Sequence, residues 1–130
     1  MSIWLLVIVL LAGAVGSVLR FGLSRRWPAV QGKVPRGILW ANLIGSAIGG
    51  VIAGISGVGL LGGGVGHALF AGFCGGLTTF STWAVDTVLA ARERQMRVAV
   101  INVTVTILAS ILLFLFLFFI TALTLNSVME

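Results

Sequence analysis

The run Phe73-Cys74-Gly75-Gly76-Leu77-Thr78-Thr79-Phe80-Ser81-Thr82 decides how this chain is read, because it sets two adjacent glycines and four hydroxyl residues inside a membrane-length apolar segment. A helix is expected to break there. In lipid, backbone N–H and C=O groups released from a helix find no water, so a break persists only where protein, ordered water or an ion satisfies them. The run is therefore read as a candidate ion site.

Composition sets the membrane context. Of 130 residues, 59% are hydrophobic and only 8% are charged, with a mean hydropathy of +1.20. This lies far from the balance of a soluble domain and indicates an integral membrane protein. The length reads as one unit, residues 1–130, a single four-helix channel-sized subunit with no room for a separate soluble domain. Cys74 is the only cysteine, which excludes an internal disulfide. The formal charge of +5 invites a nucleic-acid reading, but the basic residues cluster in two short stretches beside apolar spans, where membrane topology explains them. No nucleic-acid partner is expected.

Measured against the roughly 20 residues that cross a bilayer, the apolar runs give four spans, near Ile3 to Leu23, Gly37 to Gly57, Val65 to Ala91 and Val98 to Leu125. The extra length of the third is attributed to a break near Gly75, and that of the fourth to tilt. The first span lacks a basic flank before it and reads as a retained helix rather than a cleaved signal. Connections are a basic loop around Arg25 to Arg36, a glycine-rich loop around Val58 to Gly64, and the charged turn Arg92 to Arg97. Seven loop charges (Arg25, Arg26, Lys33, Arg36, Arg92, Arg94 and Arg97) lie on one side and none on the other. By the positive-inside rule the two basic loops are cytoplasmic in a multi-pass cell-membrane protein.

Small residues recur at helix-packing spacing in Gly45/Gly49, Gly50/Gly54, Gly72/Gly76 and Ala12/Gly16. Such pairs let backbones approach closely, which drives association in lipid; packing within one subunit is the plain use for most of them. Four short apolar helices leave little room for an aqueous path through their own centre, so an oligomer is the expected working unit.

Polar residues inside spans are costly and default to functional hypotheses. Asn42 sits near the cytoplasmic end of the second span. Asn102, Thr106 and Ser110 recur every four residues and form one stripe on an otherwise apolar fourth span. The bland alternative is that the hydroxyls bond back to their own helix carbonyls while Asn102 sits among headgroups. Beside a broken helix carrying Thr78, Thr79, Ser81 and Thr82, the stripe reads instead as a polar track of uncharged donors suited to a small, strongly hydrated anion. Phe80 and Trp83, three residues apart, share a face if the helix resumes, and an aromatic edge can assist an anion. Arg20 and Asp86 fall at similar depth; they pair, or each snorkels separately to the headgroups.

Taken together these residues resemble the Fluc (CrcB) family of fluoride channels. Gly13-Ala14-Val15-Gly16-Ser17-Val18-Leu19-Arg20 is similar to its first-span motif, Ala41-Asn42-Leu43-Ile44-Gly45 to its second, and Gly72 to Thr82 to its third. The resemblance implies an all-α membrane protein of four transmembrane helices, the third broken, assembled as an antiparallel (inverted) dimer that conducts fluoride passively and relieves cytoplasmic accumulation. It implies a structural Na⁺ at the dimer centre held by backbone carbonyls of Gly75 and Thr78. It also implies an anion path along Asn42, Phe80, Ser81, Thr82, Trp83, Asn102, Thr106 and Ser110, and a vestibule arginine in Arg20. Trp83 departs from the family's usual second phenylalanine and adds an N–H donor to that wall.

The seven-to-none charge bias also departs from what dual insertion of identical chains requires, which points to a homologous partner of opposite bias, and a half-pore or non-conducting subunit is the corresponding alternative. A four-helix drug exporter would need a titratable carboxylate in its chamber, and the first span's only charge is Arg20. An intramembrane serine protease would rest on Ser56 and His67, which flank an outer loop. No catalytic residues and no enzyme activity are expected.

Overall fold

The computed structural model describes residues 2–62 and 64–129, and regular structure among the described residues is entirely helical. Gly63, in the expected glycine loop, lies outside them, as do both terminal residues. In chain order the elements are α1 (Ile3–Arg26), α2 (Arg36–Gly57), α3 (Val65–Leu69), a π-helical turn (Phe70–Cys74), α4 (Gly75–Leu77), α5 (Ser81–Arg92) and α6 (Met96–Met129). The segments from α3 to α5 make up one interrupted span, Val65–Arg92, so four segments are long and apolar enough to cross a membrane. Each expected span has its counterpart. α6 is the longest at 34 residues, about 51 Å at ~1.5 Å per residue, against a hydrocarbon core of ~30 Å.

Glycine decides how these helices meet. A β-carbon added at Gly16 would sit 2.8 Å from the Leu77 nitrogen, and one at Gly72 would sit 2.6 Å from the Val9 carbonyl oxygen. α1 therefore lies backbone to backbone on the interrupted span. α2 lies on α6 in the same way, through Gly50 against Phe114 and Gly54 against Phe118 and Thr121. All four small-residue pairs are engaged within the subunit, Gly45 and Gly49 facing Thr78 and Phe70. The outward faces, including Val18, Leu112, Phe116 and Phe119, are exposed and apolar, as lipid contact demands.

Both basic connections lie at one end of the bundle and are tied together. Gln31 Nε2 donates to Glu93 Oε2 at 3.2 Å, and the Gly32 N–H donates to Gln95 Oε1 at 2.9 Å. Arg94 adopts a left-handed φ of 60° in the tight turn that joins α5 to α6.

The third span breaks, but not at its glycine pair. Gly75 and Gly76 are helical, and the chain opens at 78–80, where Thr78 is extended with ψ 157°. Gly76 is there for close approach, since a β-carbon would run into the Gly13 backbone. The helix stops at Thr78. Cys74 O accepts both the Thr78 N–H (2.9 Å) and the Thr78 hydroxyl (2.8 Å), and the next N–H leaves the helix altogether.

Candidate functional site

Opening a helix in a bilayer releases backbone groups, and here side chains from two other helices take them up. Asn42 of α2 is a two-point splint: its Oδ1 accepts the Thr79 N–H at 2.8 Å, and its Nδ2 donates to the Thr79 carbonyl at 3.2 Å. Arg20 of α1 donates through Nη1 to the Thr78 carbonyl at 3.2 Å. Ser17, one turn earlier on α1, donates to the Gly76 carbonyl at 3.5 Å. The Thr79 hydroxyl accepts the Thr82 N–H (3.3 Å) and lies near the hydroxyls of Thr82 (3.2 Å) and Ser81 (3.4 Å), so these two residues form the first turn of α5.

The Gly75 carbonyl is among those left without a donor. In a continuing helix the Thr79 N–H would bond to Gly75 O; with that N–H held by Asn42, Gly75 O has lost its helical donor. Space beside Gly75 is open, with no atom within 4 Å of where a β-carbon would stand.

Beside the break runs an open groove of about 370 Å³ whose walls include Asn42, Ser46, Phe80, Trp83, Thr106 and Ser110. Thr106 and Ser110 of the fourth-span stripe are thus brought beside the broken span. Thr106 Oγ1 and Ser110 Oγ are buried and have no hydrogen-bond partner. They do not bond back to their own helix. Phe80 is 77% exposed on the groove wall, its ring centroid 5.2 Å from that of Trp83 with a 45° tilt, so the two aromatics do share a face.

Other residues assigned from the sequence do not line this groove. Asn102, only 2% exposed, sits between α5 and α6 rather than on the groove. Its Nδ2 donates to Thr87 Oγ1 at 2.8 Å, Thr87 donates to the Trp83 carbonyl at 2.8 Å, and the Trp83 indole N–H points to the Asn102 carbonyl at 3.4 Å. Ser81 and Thr82 are exposed on α5. Arg20 serves the break, and no Arg20–Asp86 ion pair within 4.0 Å forms among the described residues; Asp86 lines a separate cavity of about 170 Å³ with Lys33 and Asn102 at the basic end. The reason is positional: α1 meets the interrupted span at its break, a full turn and more before Asp86.

Ser56 and His67 line one groove, but the Ser56 hydroxyl donates to the Ile52 carbonyl at 2.8 Å, which leaves no nucleophile–base pair.

Ser17, Ser46 and Thr87 are among the residues around the site that are absent from the expected set. Ser46 follows Asn42 by four and so shares its helix face, a readable signal; Thr87 carries no sequence signal for its place between Trp83 and Asn102.

Residues 7–118, nearly the whole chain, match the family described as CrcB-like protein, Camphor Resistance (CrcB). The chain belongs to the CrcB family. It is 37% identical over 105 residues to the protein named fluoride-specific ion channel FluC of Escherichia coli (strain K12), covering 75% of this chain and 78% of that one. Against the FluC of Aeromonas salmonicida (strain A449) the identity is 37% over 107 residues, covering 78% and 82%. A third relative, the FluC of Enterobacter sp. (strain 638), is 37% identical over 99 residues, covering 75% and 78%.

For a CrcB chain, the donor set at the break can be tested against the sodium ion that the sequence resemblance implies. No cluster of three or more His, Cys, Asp or Glu that could hold a metal exists among the described residues, and the groups released at the break are carbonyl oxygens. Gly75 O, without its helical donor, and Thr78 O, with one lone pair facing Arg20, fit a hard monovalent cation in donor type. One chain supplies two such oxygens.

Proposed function

We propose that this chain is a subunit of a passive, fluoride-selective channel that lets F⁻ leave the cytoplasm and so lowers its toxicity. Such a protein catalyses no covalent chemistry. The observation that carries the reading is the pair of unpartnered buried hydroxyls, Thr106 Oγ1 and Ser110 Oγ, on residues that line one groove with the exposed Phe80. Names of the relatives, fluoride-specific ion channels, agree with it. Fluoride is small and strongly hydrated, so a path must offer replacement donors, and a buried hydroxyl with no acceptor is a donor not yet committed. Phe80 and Trp83 contribute ring edges of positive potential.

The working unit in this reading is an antiparallel dimer, with the basic loops of this chain cytoplasmic. Carbonyls of Gly75 and Thr78 hold a structural Na⁺ at its centre; when bound, that ion supplies a fixed positive field that lowers the cost of an anion in low dielectric. Arg20 stands at the vestibule end of the break while its guanidinium braces Thr78.

A second reading is favoured by the charge bias. With seven basic loop residues on one side and none on the other, the chain is expected to insert one way, and its partner is then a homologous subunit of opposite bias. Purified protein in liposomes, followed with a fluoride electrode, tests both. Passive efflux from this chain alone, abolished by Phe80→Ile, supports the complete channel; efflux only after co-reconstitution with an oppositely biased relative supports the half-channel. Absence of fluoride-selective flux in both preparations refutes the proposal.

A further inference from the structure

The break in the third span needs a cause, and a glycine pair that remains helical does not supply one. What distinguishes 78–80 from the turns around it is that a side chain from α2 has replaced the helix as the partner of Thr79. Asn42 Oδ1 takes the Thr79 N–H at 2.8 Å, and Nδ2 takes the Thr79 carbonyl at 3.2 Å, so one amide satisfies both backbone groups of a single residue. Were Asn42 Oδ1 absent, the acceptor one helical turn back from that N–H is Gly75 O. The two oxygens compete for one proton.

From this geometry we infer that Asn42 is a positioning residue for cation binding: by holding the Thr79 N–H it keeps the Gly75 carbonyl open, and so sets the sodium affinity of the break from a neighbouring helix. The inference rests on the proposed sodium site and assigns Asn42 a role distinct from direct contact with the anion. Asn42 also lines the groove and its amide carries a second N–H, so both roles can coexist on one side chain. The oxygen is the atom that matters. Asn42→Asp retains an acceptor for the Thr79 N–H. Asn42→Ala retains neither, and Asn42→Leu does the same while filling the space.

The test is the thermal midpoint of the full-length detergent-solubilised protein in NaCl and in N-methylglucamine chloride at equal ionic strength. A cation bound only by the folded state raises the midpoint, so the wild-type rise measures sodium binding independently of flux. Expected results are a clear sodium-dependent rise in wild type, most of it kept by Asn42→Asp, and less than about half kept by Asn42→Ala. Asn42→Leu replaces the alanine variant if the smaller side chain prevents folding. Gly54→Ala, which crowds Thr121 where α2 meets α6 without touching the break, keeps the full rise and separates a specific loss from general destabilisation. A full rise in Asn42→Ala or Asn42→Leu overturns the inference and leaves the sodium reading standing, as does loss of the rise in Asn42→Asp together with Ala. No rise in wild type removes the sodium reading itself, and the inference with it.

Discussion

The interrupted third span and the unbroken α6 treat polar groups in opposite ways. In the third span the backbone is open at 78–80, and side chains are drawn in to close it: Asn42, Arg20, Ser17 and the hydroxyls of Thr78 and Thr79 are all committed to backbone groups or to one another. In α6 the backbone is complete over 34 residues, and it is side chains that are left over, Thr106 and Ser110 with no partner at all. The same helix shows this is not forced by sequence type. Near its end Thr124 and Ser127 donate to the carbonyls of Ile120 and Thr124 at 2.7 and 2.8 Å. An uncommitted buried hydroxyl costs about 1–3 kcal/mol, so its persistence at two successive turns beside one groove argues for a ligand that uses it.

The largest expected effect tests the bed on which the broken span rests. Gly16→Leu drives a branched side chain into the Leu77 backbone, where even a β-carbon would be 2.8 Å from the nitrogen. Overpacking of this kind costs about 3 kcal/mol, and α1 has no other buried residue to hold it in place. The variant is expected to lose its monodisperse peak on size exclusion. A well-folded Gly16→Leu protein would mean that the break is not built by close contact with α1.

Next in size is the test that separates the two regions by function. Thr106→Val with Ser110→Ala removes the uncommitted hydroxyls and leaves the packing nearly unchanged. Loss of a hydrogen bond to a charged ligand is worth about 1.5–3 kcal/mol, so fluoride efflux is expected to fall on the order of 10- to 100-fold per site. Thermal stability is expected to hold or rise, because unpartnered buried polar atoms disappear. Thr124→Val with Ser127→Ala, whose hydroxyls are already bonded to the helix, is expected to leave efflux within about twofold, the scatter of a surface substitution of ~0.5 kcal/mol. Equal flux in the two double variants would erase the distinction between committed and free hydroxyls.

How much of this is legible in the sequence depends on where the information lies. Four spans follow from hydropathy alone, and the α6 stripe follows from a four-residue spacing that the helix enforces, so both are readable. That the third span breaks is readable from its glycine and hydroxyl run. The place of the break is not, because it is decided by a contest between Asn42 Oδ1 and Gly75 O for one N–H, and Asn42 lies 37 residues away in sequence. Arg20 illustrates the same limit. Sequence offers Asp86 as its partner because a carboxylate is visible as a letter, whereas the Thr78 carbonyl that Arg20 meets is visible only once the backbone has opened. Spacing makes Asn102 the first member of the stripe, yet Thr87 and Trp83 turn it toward α5.

Trp83 supplies the smallest effect and the finest distinction between the two regions, since it belongs to the broken span and reaches α6. Its indole N–H is directed at the Asn102 carbonyl at 3.4 Å rather than into the groove. The donor that tryptophan adds over phenylalanine is therefore used in holding α5 against α6, while its ring lines the groove beside Phe80. Trp83→Phe is expected to keep the aromatic wall and lose one long hydrogen bond, costing about 0.5–1.5 kcal/mol in thermal or denaturant stability. Because Thr87 still links Asn102 to the backbone of residue 83, the α5–α6 contact survives. Fluoride efflux is then expected to stay within about threefold of wild type, the change that ~0.7 kcal/mol in a barrier would produce. A tenfold change in flux with unaltered stability would place the indole N–H on the ion path instead, and would make the wall of this groove chemically different from one built with two phenylalanines.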